Sequence, residues 1–304
     1  MRNDKEVCER RLQNAENLLG LLSDEGKRWE QTVRDLEGEQ LYFKGNVFLA
    51  AASLSYVGPF TGPYRSALVK EWQSECRLRE LQISPKYSLV HTLGNQILIR
   101  DWQMNDLPSD SVSLDNAILA QKSSRWPLMI DPQTQANKWL RKLLRSGSNG
   151  QSPAEDLGTS NFSGTDYVVI NATTPEDEGR EDGAEGASKK KSSSQKKFEL
   201  AIQNGLTVLY EEVGETLDPG LDPVISKSVY VHDGVKKVNF GGKGEGLLYD
   251  DNFRLLITTK LANPHYLPEA CIKLSMINFT VTFPGLEEQL LVDVMKSQEP
   301  EIEQ

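Results

Sequence analysis

Cys8, Leu12, Ala15, Leu19, Leu22, Gly26, Trp29, Val33, Leu36, Gln40 and Phe43 follow one another at alternating steps of four and three, without a break. Most are apolar, and charged residues such as Arg10, Arg11, Glu25, Arg28, Arg34 and Glu37 fill the spaces between them. This is the seam of a heptad repeat, and five heptads span roughly 50 Å at about 1.5 Å per residue. Such a segment cannot fold into a compact core alone, because its seam has to be laid on something. Two arrangements satisfy it: one strand of a coiled coil, or one long amphipathic helix lying on its own domain. Gly26 and Gln40 weaken the seam, so the helix needs a partner. No complementary heptad segment follows later in the chain, and a partner helix has to come from elsewhere.

Beyond this helix the patterning changes. Residues 47–75 continue as apolar helix, break at Gly58-Pro59, turn at Gly62-Pro63 and enter a second helix. Residues 93–102 read as a turn plus a strand, 107–119 as a helix start capped by an acid, and 124–145 as a short buried strand, a loop and a helix. Two stretches, 146–166 and 175–197, hold almost nothing to bury and read as disordered polar loops within a domain; between them 167–173 is a strand. A helix then runs from Phe198 to a stop at Gly205. A buried strand over 206–213 ends in two acids, 223–253 holds a strand pair with a Gly-rich turn, and further strands lie at 253–261 and 277–283 before a closing helix. Short apolar strands separated by helices predict an α/β fold with a mainly parallel sheet.

The composition removes several classes. Of the 304 residues, 34 are Lys or Arg and 44 are Asp or Glu; the net charge of −10 argues against a protein built to grip nucleic acid or an anionic membrane. Cys8, Cys76 and Cys271, and likewise His91, His232 and His265, are too dispersed for a disulfide framework or a His- or Cys-based metal site. No apolar run approaches a membrane span. The N-terminus is charged where a signal peptide turns apolar, so the chain reads as soluble and intracellular.

Ligands of an open parallel sheet sit at the carboxyl ends of its strands. One candidate is the loop after Trp126–Ile130, running from Asp131 to Lys138. A phosphate loop needs glycines for close backbone approach, a lysine for charge and a Ser or Thr hydroxyl for Mg²⁺. The strand–loop–helix setting is right, but Asp131 and Ala136 stand where the glycines belong, Asn137 where the lysine belongs and Lys138 where the hydroxyl belongs. A one-residue shift rescues Lys138 as the lysine but puts Trp139 in the hydroxyl position. An aspartate against a phosphate would also repel it. The second candidate is Glu211-Glu212 at the end of a buried strand, the acid pair with which ATPases hold Mg²⁺ and polarise water. Asn263, past the strand at 253–259, could supply a polar sensor for a γ-phosphate. Gly241–Gly246 lacks a following helix and reads as a hairpin turn, and Lys189–Lys191 with Lys196 and Lys197 as a solvated run.

Longer phrases carry a resemblance. Residues 126–133 (WPLMIDPQ) with 135–139 (QANKW), 214–219 (GETLDP), 258–269 (TTKLANPHYLPE), and 279–282 (FTVT) with 285–291 (GLEEQLL) resemble the dynein heavy chain at the start of its fifth AAA+ module. Upstream, 54–61 (LSYVGPFT) with Tyr64-Arg65, and 107–110 (LPSD), are similar to the segment joining the returning stalk helix to that module. The matches run in order from about residue 8 onward, and 258–269 with the following CIKLSMINFTVT is more similar to axonemal inner-arm chains than to the cytoplasmic one.

The resemblance implies a stalk-base coiled-coil helix over 1–44, a helical and strand connector over 45–123, an AAA+ P-loop NTPase-like large domain over 124–290, and the start of a further helical segment over 291–304. It implies a fragment or truncated product. The partner helix and microtubule-binding tip would lie upstream, and the small helical lid beyond the end. It further implies that this module is structural, with ATP and Mg²⁺ acting elsewhere in the parent motor and no cofactor expected here. The implied partners are neighbouring AAA+ modules, the other stalk helix, microtubules through the absent tip, and the dynein intermediate and light chains. The implied setting is the cytoskeleton, in a cilium or flagellar axoneme. The alternative is a regulatory AAA+ module in which Lys138, Glu211 and Glu212 bind Mg-ATP.

Overall fold

A computed structural model describes residues 2–147, 167–172, 193–241, 246–281 and 283–298. The polar stretches 148–166 and 173–192, with the lysines at 189–191, lie outside the described residues, as does most of the Gly241–Gly246 turn. The chain divides into two compact units, one comprising the residues up to Leu49 with Lys70–Tyr87, the other Ala50–Val69 with the residues from Ser88 onward.

In the first unit the heptad segment forms most of helix α1, Arg2–Tyr56. Leu12, Leu22, Trp29, Val33, Leu36 and Phe43 are each more than half exposed. The seam thus presents an exposed apolar stripe. Locally the helix is supported by Glu25–Arg28 and Glu30–Arg34 ion pairs, each worth about 0.2–0.5 kcal/mol. Leu49, Cys76 and Ile83 make a small core with Trp72, Leu81 and Tyr87. The approach of the 82–84 segment is close: a Cβ on Gly45 would stand 2.1 Å from the Gln82 carbonyl oxygen, so only glycine fits there.

The second unit is built on a five-stranded sheet of β1 (Trp126–Ile130), β2 (Tyr167–Asn171), β3 (Thr207–Glu211), β7 (Arg254–Thr259) and β8 (Leu274–Asn278). Its order is β2-β3-β7-β1-β8, with every pairing parallel. β1 is buried throughout and β7 nearly so, as expected of strands covered on both faces. Helices α6 (Gln135–Gly147) and α7 (Ser193–Gln203) follow β1 and β2 in sequence. Trp139 on α6 is fully buried, stacked on Phe279 at 6.1 Å and edge-on to Trp102 at 6.2 Å. A smaller antiparallel sheet, β4 (Val229–His232), β5 (Val235–Val238) and β6 (Leu247–Leu248), leaves β3 and returns before β7. Its first turn is Asp233-Gly234, with φ of +55° and +76°, the left-handed pair a two-residue hairpin requires.

Three expectations are corrected. Residues 96–102 are not a strand but part of helix α4, Gln96–Met104. The Asn95 side chain caps it by accepting from the Ile97 amide, and Leu98, Ile99 and Trp102 form its buried face, so helical spacing wins over a short apolar run. With α2 (Gly62–Leu78), α3 (Leu89–Leu93) and α5 (Ser111–Lys122), the expected connector over 45–123 holds helices only among its regular elements. The last strand is 274–278 rather than 277–283. Its register is set by pairing with β1, and Asn278 ends it by accepting from the Thr280 amide at 2.9 Å; the chain then forms a last helix, Phe283–Gln298. Finally, Ser193–Lys197 begin α7 and Ser146 and Gly147 end α6, so the helices claim the margins of both expected loops.

Candidate functional site

The β1–α6 loop lies at the carboxyl end of the sheet, and Asp131 occupies its start. Its backbone N–H donates to the Thr259 carbonyl at 2.8 Å, fixing the residue between β1 and β7. The side chain turns onto the first turn of α6. Oδ1 accepts from the Gln135 amide at 2.8 Å and Oδ2 from the Asn137 amide at 2.9 Å. These are helix N-terminal donors of the kind that cradle phosphate in a nucleotide site. Here the protein's own carboxylate takes them. Burial pushes the Asp131 carboxyl pKa up, and the amide bonds and Lys138 pull it back. With the carboxylate in place, a phosphate would meet repulsion and amides already engaged.

The rest of the loop departs from a phosphate cradle in the same direction. Ala136 is fully buried, and Thr134 holds a left-handed backbone with φ of +60°, a conformation glycine adopts freely and a β-branched residue resists. Asn137 reaches the Thr258 hydroxyl at 3.4 Å instead of a ligand. Lys138 is exposed on α6. Trp139 belongs to the core, so the shifted alignment places an indole where a Mg²⁺-binding hydroxyl is needed.

The acid pair is also engaged. Glu211, at the end of β3, is 2% exposed and accepts from Arg141 through both oxygens, from Nε at 2.7 Å and from Nη2 at 2.5 Å. The two-pronged bond raises the Arg141 pKa. Glu212 has left the strand, with φ of +57°, and is ion-paired with Lys260. Asn263 is exposed, beyond the end of β7. The structure thus places Asp131 and Glu211 at the carboxyl ends of β1 and β3, which flank β7, and Asn137 in the first turn of α6, each held by protein. Among the described residues no group of three His, Cys, Asp or Glu side chains could hold a metal ion. Asp131 and Glu211, the acids nearest a Mg-ATP position, are thus already engaged by protein donors.

Sequence reasoning missed Arg141 and the capping role of Asp131. The signal for Arg141 was available: an acid at the end of a largely buried strand needs a cation, and α6 is a basic helix that reaches it. Beyond the acids, a cleft of about 830 Å³ opens between the 212–219 segment and Tyr266–Lys273. No described helix is long and apolar enough to cross a membrane.

Comparison with known proteins matches this arrangement on both sides. The family described as the ATP-binding dynein motor region matches residues 100–304, and that described as the microtubule-binding stalk of dynein motor matches residues 1–75. The human protein named dynein axonemal heavy chain 6 is 40% identical over 295 residues, 97% of this chain. The mouse dynein axonemal heavy chain 1 is 37% identical over 299 residues, and the human dynein axonemal heavy chain 3 is 35% identical over 300, each across 98% of this chain. The chain spans 6% of the length of each of these relatives. An exposed heptad helix continuous with a parallel α/β unit, and these ordered matches over nearly every residue, show that the chain belongs to the dynein heavy chain family.

Proposed function

We propose that this chain serves as a structural AAA+ module joining the ring of a dynein motor to its microtubule-binding stalk, with a nucleotide site closed by its own side chains. The observation that carries this reading is the Asp131 carboxylate on the Gln135 and Asn137 amides, where a phosphate would have to sit. The parent activity is ATP-driven movement on microtubules, with ATP and Mg²⁺ used in other modules. α1 is one strand of the stalk base, its exposed seam laid on the other stalk helix. A shift of one helix against the other changes microtubule affinity at the tip. The partners are the neighbouring AAA+ modules and, in the assembled motor, intermediate and light chains. The axonemal relatives support a place in the cytoskeleton of cilia or flagella.

The competing reading is a regulatory module in which Lys138, Glu211 and Glu212 hold Mg-ATP, supported by the strand–loop–helix order alone. The two separate in a full-length heavy chain carrying this segment. A Lys138→Ala substitution leaves microtubule-stimulated ATP turnover within twofold if the module is structural. A drop of tenfold or more would favour the regulatory site.

A further inference from the structure

Arg65 is a buried guanidinium that the nucleotide-site chemistry does not use. It stands near the start of α2, 5% exposed, and its donors reach three separate parts of the second unit. Nε donates to the Phe60 carbonyl at 2.8 Å and Nη2 to the Gly58 carbonyl at 2.8 Å, both in the turn that follows α1. Nη1 donates to Asn116 Oδ1 on α5 at 2.6 Å, and Nη2 also reaches the Asn278 carbonyl at the end of β8 at 3.3 Å.

The acceptors are themselves tied together. Asn116, 1% exposed, donates from Nδ2 to the Asn278 carbonyl at 2.9 Å, and the Asn278 amide donates to the Gly58 carbonyl at 2.9 Å. The turn lies against the outer edge of β8 so closely that a Cβ on Gly58 would stand 2.2 Å from the Met276 carbonyl oxygen. One strand further in, Asn278 is paired with Ile130, and the Phe279 amide donates to the Ile130 carbonyl at 2.9 Å. Ile130 immediately precedes Asp131. A continuous set of bonds therefore runs from the end of the long helix, through Arg65, to the strand that carries the phosphate-loop position.

A buried arginine is expensive unless its donors and charge are met, and this one is met by backbone carbonyls that a packed helix pair would not otherwise present to it. Burial lowers its pKa to about 10, and Asp115 on α5 opposes that shift. A lysine has the charge but not the planar fork that spans Gly58, Asn116 and Asn278 at once. If the turn were only a connection, hydrophobic packing of Val57 would suffice.

We propose that Arg65 is a positioning residue that latches the C-terminal end of α1 to the edge strand β8, so that movement of the sheet edge is passed to the helix and not absorbed in the turn. The inference rests on the reading of the module as a link between ring and stalk. Its test has two stages. Hydrogen–deuterium exchange on the whole chain compares wild type with Arg65→Lys, Arg65→Ala and Asn116→Ala. Exchange in residues 53–65 and at Asn278 should speed up at least tenfold in all three, with β1 and β7 unchanged. Asn116→Ala keeps the question answerable if Arg65→Ala does not fold. Unchanged exchange at 53–65, or an equal loss across β1 and β7, would overturn the latch. The second stage places Arg65→Lys in a full-length heavy chain carrying this segment. Basal ATP turnover should hold while its stimulation by microtubules falls at least threefold. Local loosening with stimulation intact would overturn the ring-to-stalk reading instead.

Discussion

Single residues set the chemistry of this chain through the partners that hold them. Glu211 is held by Arg141 at 2.5 and 2.7 Å, one partner nearly fully buried and the other 46% exposed. Removing the cation strands a buried carboxylate. Arg141→Met should cost roughly 2–3 kcal/mol in urea unfolding, below the value for a fully buried pair because water screens the arginine. Arg141→Met with Glu211→Gln should recover most of it, and additive losses would refute the pairing. Asp115 gives a pH signature. Burial raises its pKa to about 6, against the pull of Arg65 and with the push of Asp110. Its folded pKa exceeds the unfolded one, so the stability it contributes is full below about pH 4 and is lost as pH rises through about 6. Relative to Asp115→Asn, wild type should lose on the order of 2–3 kcal/mol between pH 4 and pH 8. A flat difference would contradict this. At this scale the sequence showed which groups a phosphate loop lacks, because that is a matter of residue identity. It did not show that Asp131 turns onto its own helix, because a carboxylate near a phosphate position reads equally as a repulsive charge or a cap until the loop geometry is known.

Elements were legible where the period was strong or the ends were marked. The 3–4 seam predicted α1, the apolar runs predicted β1, β3 and β7, and Asp110 marked the start of α5 by capping the Ser113 amide. They were misread where a short apolar run carried both periods. Residues 97–99 are an apolar run of strand length, yet the Asn95 cap and a buried face of Leu98, Ile99 and Trp102 make a helix. The end of β8 was misplaced because Asn278 closes the strand through a side-chain turn, which no apolar count registers. The seam itself yields a prediction. Leu36 is 58% exposed, so Leu36→Glu should change the stability of the isolated chain by no more than about 0.5 kcal/mol. The same change should abolish binding of a synthetic antiparallel helix bearing the complementary heptads, as measured by circular dichroism. Equal binding by wild type and variant would mean that the seam is not the contact face.

At the scale of the whole molecule, two compact units share one unbroken helix, and the functional account depends on that continuity. In the proposed function, the Asp131 carboxylate on the first turn of α6 stands where nucleotide exchange would otherwise act. The central claim is that this module transmits movement without binding nucleotide. The direct measurement is titration of the purified, folded chain with a fluorescent ATP analogue and Mg²⁺, beside a Lys138→Ala control. The account predicts no saturable binding up to roughly 1 mM, an affinity weaker than about 4 kcal/mol. Saturable binding that is lost in the control would contradict it and make the module a nucleotide sensor.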